Sequence, residues 1–369
     1  MKAIALRAIS LLLCLSLALS LRLYAKAATP SLSAKSAILI DASDASVLFE
    51  KNASERMGMA STTKIMTALV ATELLELDCP VVIPKEAVNV EGSSVYLTQG
   101  EILTLRELLY ALLLSSANDA ATAIAIAAAG SVAAFAHKMN ERALSLGLCD
   151  THFVNPHGLY DEMHYTTARD LATISAEALK NPTLREIFAS KKATIPQGVT
   201  SERPWGESER YLYNHNKMLS RYEGAIGMKT GFTKKTGRCL VSAAERDGLT
   251  LISVTLNAPD DWNDHAAMLD YGFSTYESVT LFDTGEYAYP FLLSGGKEGY
   301  LLLSNASPIT LTLPRSGRQV EYRIESCFRF AIAPVQGTKQ IATLVLCFRD
   351  KTLRIPLLSA YTAPSANKK

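Results

Sequence analysis

The 369-residue chain is poor in cysteine, with six residues scattered singly along it. Cys14 lies in an apolar N-terminal run, which leaves an odd set: Cys79, Cys149, Cys239, Cys327 and Cys347. Such a set is not a disulfide framework. A pairing of Cys327 with Cys347 stays open, and the others read as small buried apolar residues. Charge of one sign is also missing: 37 Lys and Arg stand against 36 Asp and Glu, a formal net charge of +1. No basic excess points to nucleic acid, and no long block of like charge points to a solvating tail. Histidine is scarce, and the six residues His137, His152, His157, His164, His215 and His265 form no HExxH and no close ligand set. A zinc peptidase of that pattern is therefore excluded. His157 and His265 read as residues that order loops. No internal repeat is found. What remains is an ordinary globular composition, 48% hydrophobic and 20% charged, long enough for two domains.

The N-terminus carries an export signal. Lys2 and Arg7 precede an apolar run over residues 8–21, and Ala25-Lys26-Ala27 is a small-x-small cleavage site. The run is shorter than the ~20 residues that span a bilayer, so a cleaved signal peptide over 1–27 is expected rather than an anchor. A lipoprotein reading at Cys14 fails on bulky Leu13 and on the apolar run continuing past the cysteine. Cleavage would remove Lys2, Arg7, Arg22 and Lys26 with no acidic residue, taking the formal net charge from +1 to −3.

Residues 36–50 predict two short strands joined by Asp41-Ala42-Ser43-Asp44. Helical spacing follows Ser61 through KIMTALVATELLEL, and a second helix is predicted over about 104–114. There Thr104 and Glu107 stand at capping-box spacing. The Ala-rich run 119–129 reads as a buried helix. Ile226 to Thr233, Cys239 to Glu245 and Leu249 to Leu256 predict three antiparallel strands, the last two joined by Asp247-Gly248. Strands at both ends of a helical middle predict an α/β (α+β) sandwich, one sheet with an inserted helical cluster. Beyond about residue 275 the segments alternate and are β-rich, which predicts a small C-terminal all-β domain over 276–358. The polar residues 359–369 read as a disordered tail.

Three short elements carry chemistry: Ser61-Thr62-Thr63-Lys64, Ser116-Ala117-Asn118 and Lys229-Thr230-Gly231. A serine hydroxyl needs a base within reach to act as a nucleophile. Lys64 lies one helical turn beyond Ser61, and burial beside a second cation lowers a lysine pKa towards that of a base. A helix start at Ser61 favours negative charge developing there. Ser116 offers a second hydroxyl for proton transfer, and Asn118 an amide to hold a substrate backbone. Lys229 offers a cation for a carboxylate, and Gly231 room for a substrate laid along the strand. Backbone N–H groups of Ser61 and Phe232 are candidate oxyanion donors. Each triplet alone is unspecific. Ser-x-x-Lys recurs at Ser294–Lys297 and Ser365–Lys368, Ser-x-Asn at Ser365–Asn367, and Lys-Thr-Gly at Lys235–Gly237. Those copies fall in turns or in the tail. Ser61 alone precedes a long helix, and Lys229 alone sits inside a strand-like run.

This ordered triple is the signature of class A β-lactamases and penicillin-binding proteins. The wider surroundings MASTTKIMTALV, SSANDAATAIA, FVNPHGL, HYTTARDLA, GMKTGFTKKTGRCLVSA and WNDHAAMLDYGF resemble the serine D-alanyl-D-alanine carboxypeptidases, low-molecular-mass penicillin-binding proteins of the S11 peptidase type. The resemblance runs over about residues 33–275 and sets the expected catalytic domain at 28–275. It implies a serine β-lactamase/transpeptidase-like fold, with Ser61 as the acylated nucleophile and Lys64 as proton acceptor. It further implies Ser116 and Asn118 as catalytic residues and Lys229, with Thr230, Gly231 and Phe232, as the substrate-binding strand. The implied partners are the peptidoglycan stem peptide and β-lactam inhibitors, with no metal or organic cofactor. Two features depart from the pattern. The second motif is Ser-Ala-Asn rather than the commoner Ser-Gly-Asn. Residues 350–369 contain Pro356 and Pro364 and show no helical stripe for an amphipathic anchor, which leaves peripheral membrane association open. A β-lactamase shares the acylation step but needs a second base such as Glu162. A non-catalytic peptidoglycan-binding protein would have no need of the serine–lysine pair.

Overall fold

The structure, a computed structural model, describes residues 28–198, 208–349 and 351–366. The signal segment read over 1–27 lies outside the described residues. The described chain divides into two compact units, Pro30–Phe273 and a unit that begins at Ser274.

The first unit is built on one five-stranded antiparallel sheet. Its strands are β1 (Ser36–Asp41), β2 (Val47–Lys51), β3 (Ala225–Thr233), β4 (Gly237–Arg246) and β5 (Leu249–Leu256), ordered β2-β1-β5-β4-β3. The first two and the last three strands of the unit are thus far apart in sequence but share a sheet, with the helices inserted between. β3 is an edge strand, so one side of it lacks a strand partner. Period-two alternation buries both faces. Ile38, Ile40, Val241, Ile252 and Val254 join the helical core, while Leu39, Leu240 and Leu251 are buried outside it.

The helical cluster comprises α1 (Lys64–Leu74), α2 (Leu105–Leu114), α3 (Asn118–Ala129), α4 (Val132–Ser145), α5 (Ala168–Lys180) and α6 (Pro182–Ala189). α1 is buried on nearly every side, through Ile65, Met66, Ala68, Leu69, Val70 and Ala71. It is a core helix and not an amphipathic surface one. It ends at Leu74, three residues before the end of the predicted run, because Leu75 turns to extended backbone and the chain enters the short strand Pro80–Val82. α2 starts as its sequence demands. Thr104 Oγ1 accepts from the Glu107 N–H at 3.3 Å, and Glu107 Oε2 accepts from the Thr104 N–H at 2.7 Å. α3 supplies Ala120, Ala121, Ala123, Ile124 and Ala125, all fully buried. Small side chains let neighbouring helices approach closely. Helix α7 (Asp261–Thr275) packs on the sheet through His265, whose ring lies 2.8 Å from Ser253 Oγ and 2.9 Å from Thr255 Oγ1. His265 therefore ties a helix to β5 and does not order a loop.

Beyond Thr275 the second unit is all β among its described residues. Tyr276–Phe282 pairs with Ile309–Pro314. A six-stranded sheet has the order Val320–Glu325, Gln340–Phe348, Lys351–Ser359, Tyr300–Asn305, Ala288–Ser294 and Ala331–Ile332. Leu301, Leu303, Leu344, Leu346 and Leu357 form its core. Residues 360–366, read above as part of a disordered tail, are held. Val335 and Ala363 exchange backbone hydrogen bonds of 2.9 and 2.8 Å, the Ala366 N–H reaches Gly295 O at 2.7 Å, and Ala363 is buried. Polar composition concealed a segment that pays its way through backbone pairing. All five described cysteines are free, Cys327 and Cys347 included. Cys347 lies within a strand opposite Glu321 and Thr352, whereas Cys327 falls past the end of its neighbouring strand. No single described helix is long and apolar enough to cross a membrane.

Candidate active site

Ser61 sits in a 3₁₀ turn, Ala60–Thr63, that runs directly into α1. The turn is over-determined. Ala60 has φ +47°, Thr62 Oγ1 donates to Met59 O at 2.6 Å, and Thr63 Oγ1 donates to Ala60 O at 2.8 Å. Left-handed backbone at a residue with a side chain costs free energy and persists where the surroundings enforce it. Here it lifts Ser61 above the helix end.

The i+3 spacing does what the sequence predicts: Lys64 Nζ is 3.0 Å from Ser61 Oγ. It is also 2.7 Å from Asn118 Oδ1 and 2.7 Å from His157 O. Lys64 is fully buried. Burial, and secondarily the charge of Lys229, hold its pKa well below the usual lysine range, against the pull of Asp119. Two protons of a neutral amine satisfy Asn118 and His157, which leaves the lone pair facing the Ser61 hydroxyl. That is the arrangement of a nucleophile with its base.

Ser116 and Asn118 come from the junction between α2 and α3. Ser116 adopts φ +59° and lines a cleft with Ser61. Asn118 has partners that the sequence did not announce. Its Oδ1 accepts from Lys64, and its Nδ2 donates to Glu91 O at 2.5 Å. Its backbone N–H donates to Ser93 O at 2.7 Å. The carboxamide thus holds Lys64 and secures the loop over residues 91–97. Asp119 fixes the same loop by accepting from Ser94 Oγ at 2.6 Å and from the Val95 and Leu97 N–H groups.

The third motif lies on edge strand β3. Thr230, Gly231 and Phe232 line the cleft, and the Phe232 side chain is exposed. A side chain at Gly231 would place its Cβ 3.0 Å from Ser61 N and 3.1 Å from Met59 O. Glycine here lets the backbone of β3 approach the Ser61 turn without displacing it. Lys229 shares a face of β3 with Gly231, whose Cβ position meets the Ser61 turn, and its charge reaches Lys64 and the cleft-lining His215. It is 1% exposed, its Nζ donates to Thr230 O at 3.0 Å, and burial lowers its pKa to about 7.

The cleft holds about 360 Å³, and part of its wall escaped sequence reasoning. Arg238 on β4 pairs with Asp261 at 2.8 Å and stacks over Trp262 with 5.7 Å to the ring centroid. Both partners open α7. His215, Lys217 and Ser93 complete the lining. Arg238 stands opposite Phe232 in the β3–β4 register, a placement that strand pairing alone would have disclosed. Glu162 is exposed and is not among the residues lining the cleft. His157 contributes its carbonyl to Lys64, and its ring, held neutral by burial and by Lys64 with a pKa of about 3, accepts from the Leu159 N–H. It does order a loop. No cluster of metal-ligating side chains occurs among the described residues.

A sheet edge laid against a helix-borne serine, with a buried lysine behind it, defines the serine–lysine acyl-transfer class. The S11 peptidase family, described as D-alanyl-D-alanine carboxypeptidase, matches residues 24–260. Similarity to a curated relative, the D-alanyl-D-alanine carboxypeptidase DacF of Bacillus subtilis, is 33% identity covering 85% of this chain and 81% of the relative. The solved DD-transpeptidase of Streptomyces K15 is 36% identical and covers 67% of this chain and 99% of its own, with a TM-score of 0.63. Penicillin-binding protein 5 of Haemophilus influenzae is 25% identical over 92% of this chain and 99% of its own, with a TM-score of 0.75. The chain belongs to the S11 D-alanyl-D-alanine carboxypeptidase family, a family of hydrolases.

Proposed function

We propose that the protein removes the terminal D-alanine from peptidoglycan stem pentapeptides through an acyl-enzyme on Ser61. The observation that carries this is the 3.0 Å contact between Ser61 Oγ and a fully buried Lys64 Nζ whose other partners leave it free to accept a proton. Ser61 attacks the D-Ala–D-Ala carbonyl as Lys64 takes its proton. The oxyanion falls to backbone N–H groups of Ser61 and Phe232. Ser116, on the cleft wall, passes a proton to the departing amine. Water then hydrolyses the ester and regenerates Ser61.

Thr230 and the β3 edge align the substrate as an added strand. Lys229, with Thr230, takes the terminal carboxylate, and its charge adds to burial in lowering the pKa of Lys64. Penicillin acylates Ser61 as a substrate mimic, and its ring-derived leaving group stays attached and obstructs hydrolysis. A stem-peptide substrate places the enzyme on the outer face of the cytoplasmic membrane, which agrees with the export signal read over 1–27. Peripheral attachment to that membrane is compatible with this location.

Fluorescent penicillin tests the reading. Wild-type protein should form a long-lived adduct, and Ser61→Ala should form none while keeping its melting temperature. Labelling retained by Ser61→Ala removes Ser61 from the mechanism. An adduct that turns over within seconds points to a β-lactamase instead, a reading that the position of Glu162 disfavours.

A further inference from the structure

The conformation of the nucleophile turn is enforced from behind by groups that never reach the cleft. His164 is 3% exposed and is separated from Ser61 by about a hundred residues of chain, but its ring meets the turn. Its Nδ1 accepts from the Val154 N–H at 3.1 Å. A neutral imidazole that accepts at Nδ1 carries its proton on Nε2. Nε2–H therefore donates to Thr63 Oγ1, 2.7 Å away. Thr63 Oγ1 then has its own proton to give to Ala60 O at 2.8 Å. The polarity of the chain is fixed throughout, from Val154 N–H through His164 and Thr63 to the Ala60 carbonyl.

Ala60 is the residue with φ +47° directly before Ser61. Its carbonyl is gripped from a second side. A Cβ at Gly158, itself at φ +89°, would lie 1.9 Å from Ala60 O and 2.9 Å from Thr63 Oγ1. Glycine is thus required for the 155–159 loop to sit against that carbonyl. The same loop gives His157 O to Lys64. Asn155 shapes it by accepting from the Gly158 N–H at 2.7 Å. Nucleophile and base are consequently held by one assembly. Burial lowers the His164 pKa to about 4, so the neutral tautomer persists across the working range.

We propose that His164, acting through Thr63, is a positioning residue for acylation: the hydrogen-bond chain to the Ala60 carbonyl holds Ser61 Oγ in line with Lys64. The inference rests on the assignment of Ser61 as the acylated residue. A misplacement of a reacting group by about 1 Å costs on the order of a hundredfold in rate. Loss of the chain should show in acylation before it shows in stability.

The test is a double-mutant cycle on the second-order rate of labelling by fluorescent penicillin. His164→Leu and Thr63→Val should each slow labelling by about tenfold or more. The double variant should be no slower than the slower single, because both cut one chain. Thr63→Ser keeps the hydroxyl and should label at close to the wild-type rate. Folded single variants that label at the wild-type rate overturn the inference, and so does a double variant slowed by the product of the two singles. If His164→Leu does not fold, the Thr63→Val and Thr63→Ser pair decides alone: equal rates in the two overturn it. Wild-type protein that takes no label refutes the assignment of Ser61, a result distinct from every one of these.

Discussion

At the scale of the residue, the account turns on one amine. Lys64 is fully buried, and its pKa is held down first by burial and then by Lys229. The neutral form is the base, so acylation should climb with pH through the lowered pKa of Lys64 and level off before the ordinary lysine range. Stopped-flow labelling by penicillin across pH measures this. A rate flat from about pH 5 to about pH 9, or still rising steeply near pH 10, contradicts it. The contact between Ser61 and Lys64 was legible from spacing, because i+3 contact on a helical turn is a local rule. The contacts of Asn118 with the loop were not legible. Its partners Glu91 and Ser93 are some 25 residues away, and no pattern announces a carboxamide spent on a loop.

At the scale of the element, the edge strand β3 and the nucleophile turn make the site by close approach. Gly231→Val would push a branched side chain against Ser61 N, now 3.0 Å from the Cβ position. It should cut acylation by about a hundredfold. Stability should fall by about 1–3 kcal/mol as well, since the added side chain overpacks a buried contact. Labelling kinetics beside a thermal melt would check both, and a fast-labelling variant would show that the approach is not needed. The strands, the capping box at Thr104 and the buried Ala-rich helix were all readable, since each follows from period or cap chemistry within a few residues. The Lys-Thr-Gly motif was read correctly as a strand. The near-complete burial of its lysine was not legible, because it depends on the Ser61 turn packed against that face of the strand. The wall made by Arg238, Asp261 and Trp262 joins a strand to a helix start about 23 residues later, a pairing that belongs to tertiary structure.

At the scale of the molecule, the sheet is stitched from the two ends of the first unit, and buried titratable groups are distributed through it. His265 and His157 are held neutral with pKa values of about 3, and His164 with one of about 4, all chiefly by burial. Unfolded histidines titrate near 6.5. Between these values the unfolded chain binds the more protons, so folding stability should fall as pH drops from about 6.5 towards about 4. Lys229, at about 7 against an ordinary lysine near 10.5, contributes in the same direction at higher pH. Thermal unfolding followed from about pH 8 to about pH 5 should show a steady decline in melting temperature. An unchanged melting temperature over that span would contradict the burial of these groups. Two-unit organisation was readable from the loss of helical periodicity after residue 275. The ordering of residues 360–366 was not, because backbone pairing leaves little trace in side-chain composition.

The most direct measurement is mass spectrometry of a synthetic stem pentapeptide ending in D-Ala–D-Ala, incubated with the purified protein. The account predicts a tetrapeptide, free D-alanine and, on rapid quenching, a peptidyl ester on Ser61. Pentapeptide left intact by protein that is folded and binds penicillin, or cleavage that survives Ser61→Ala, would contradict it.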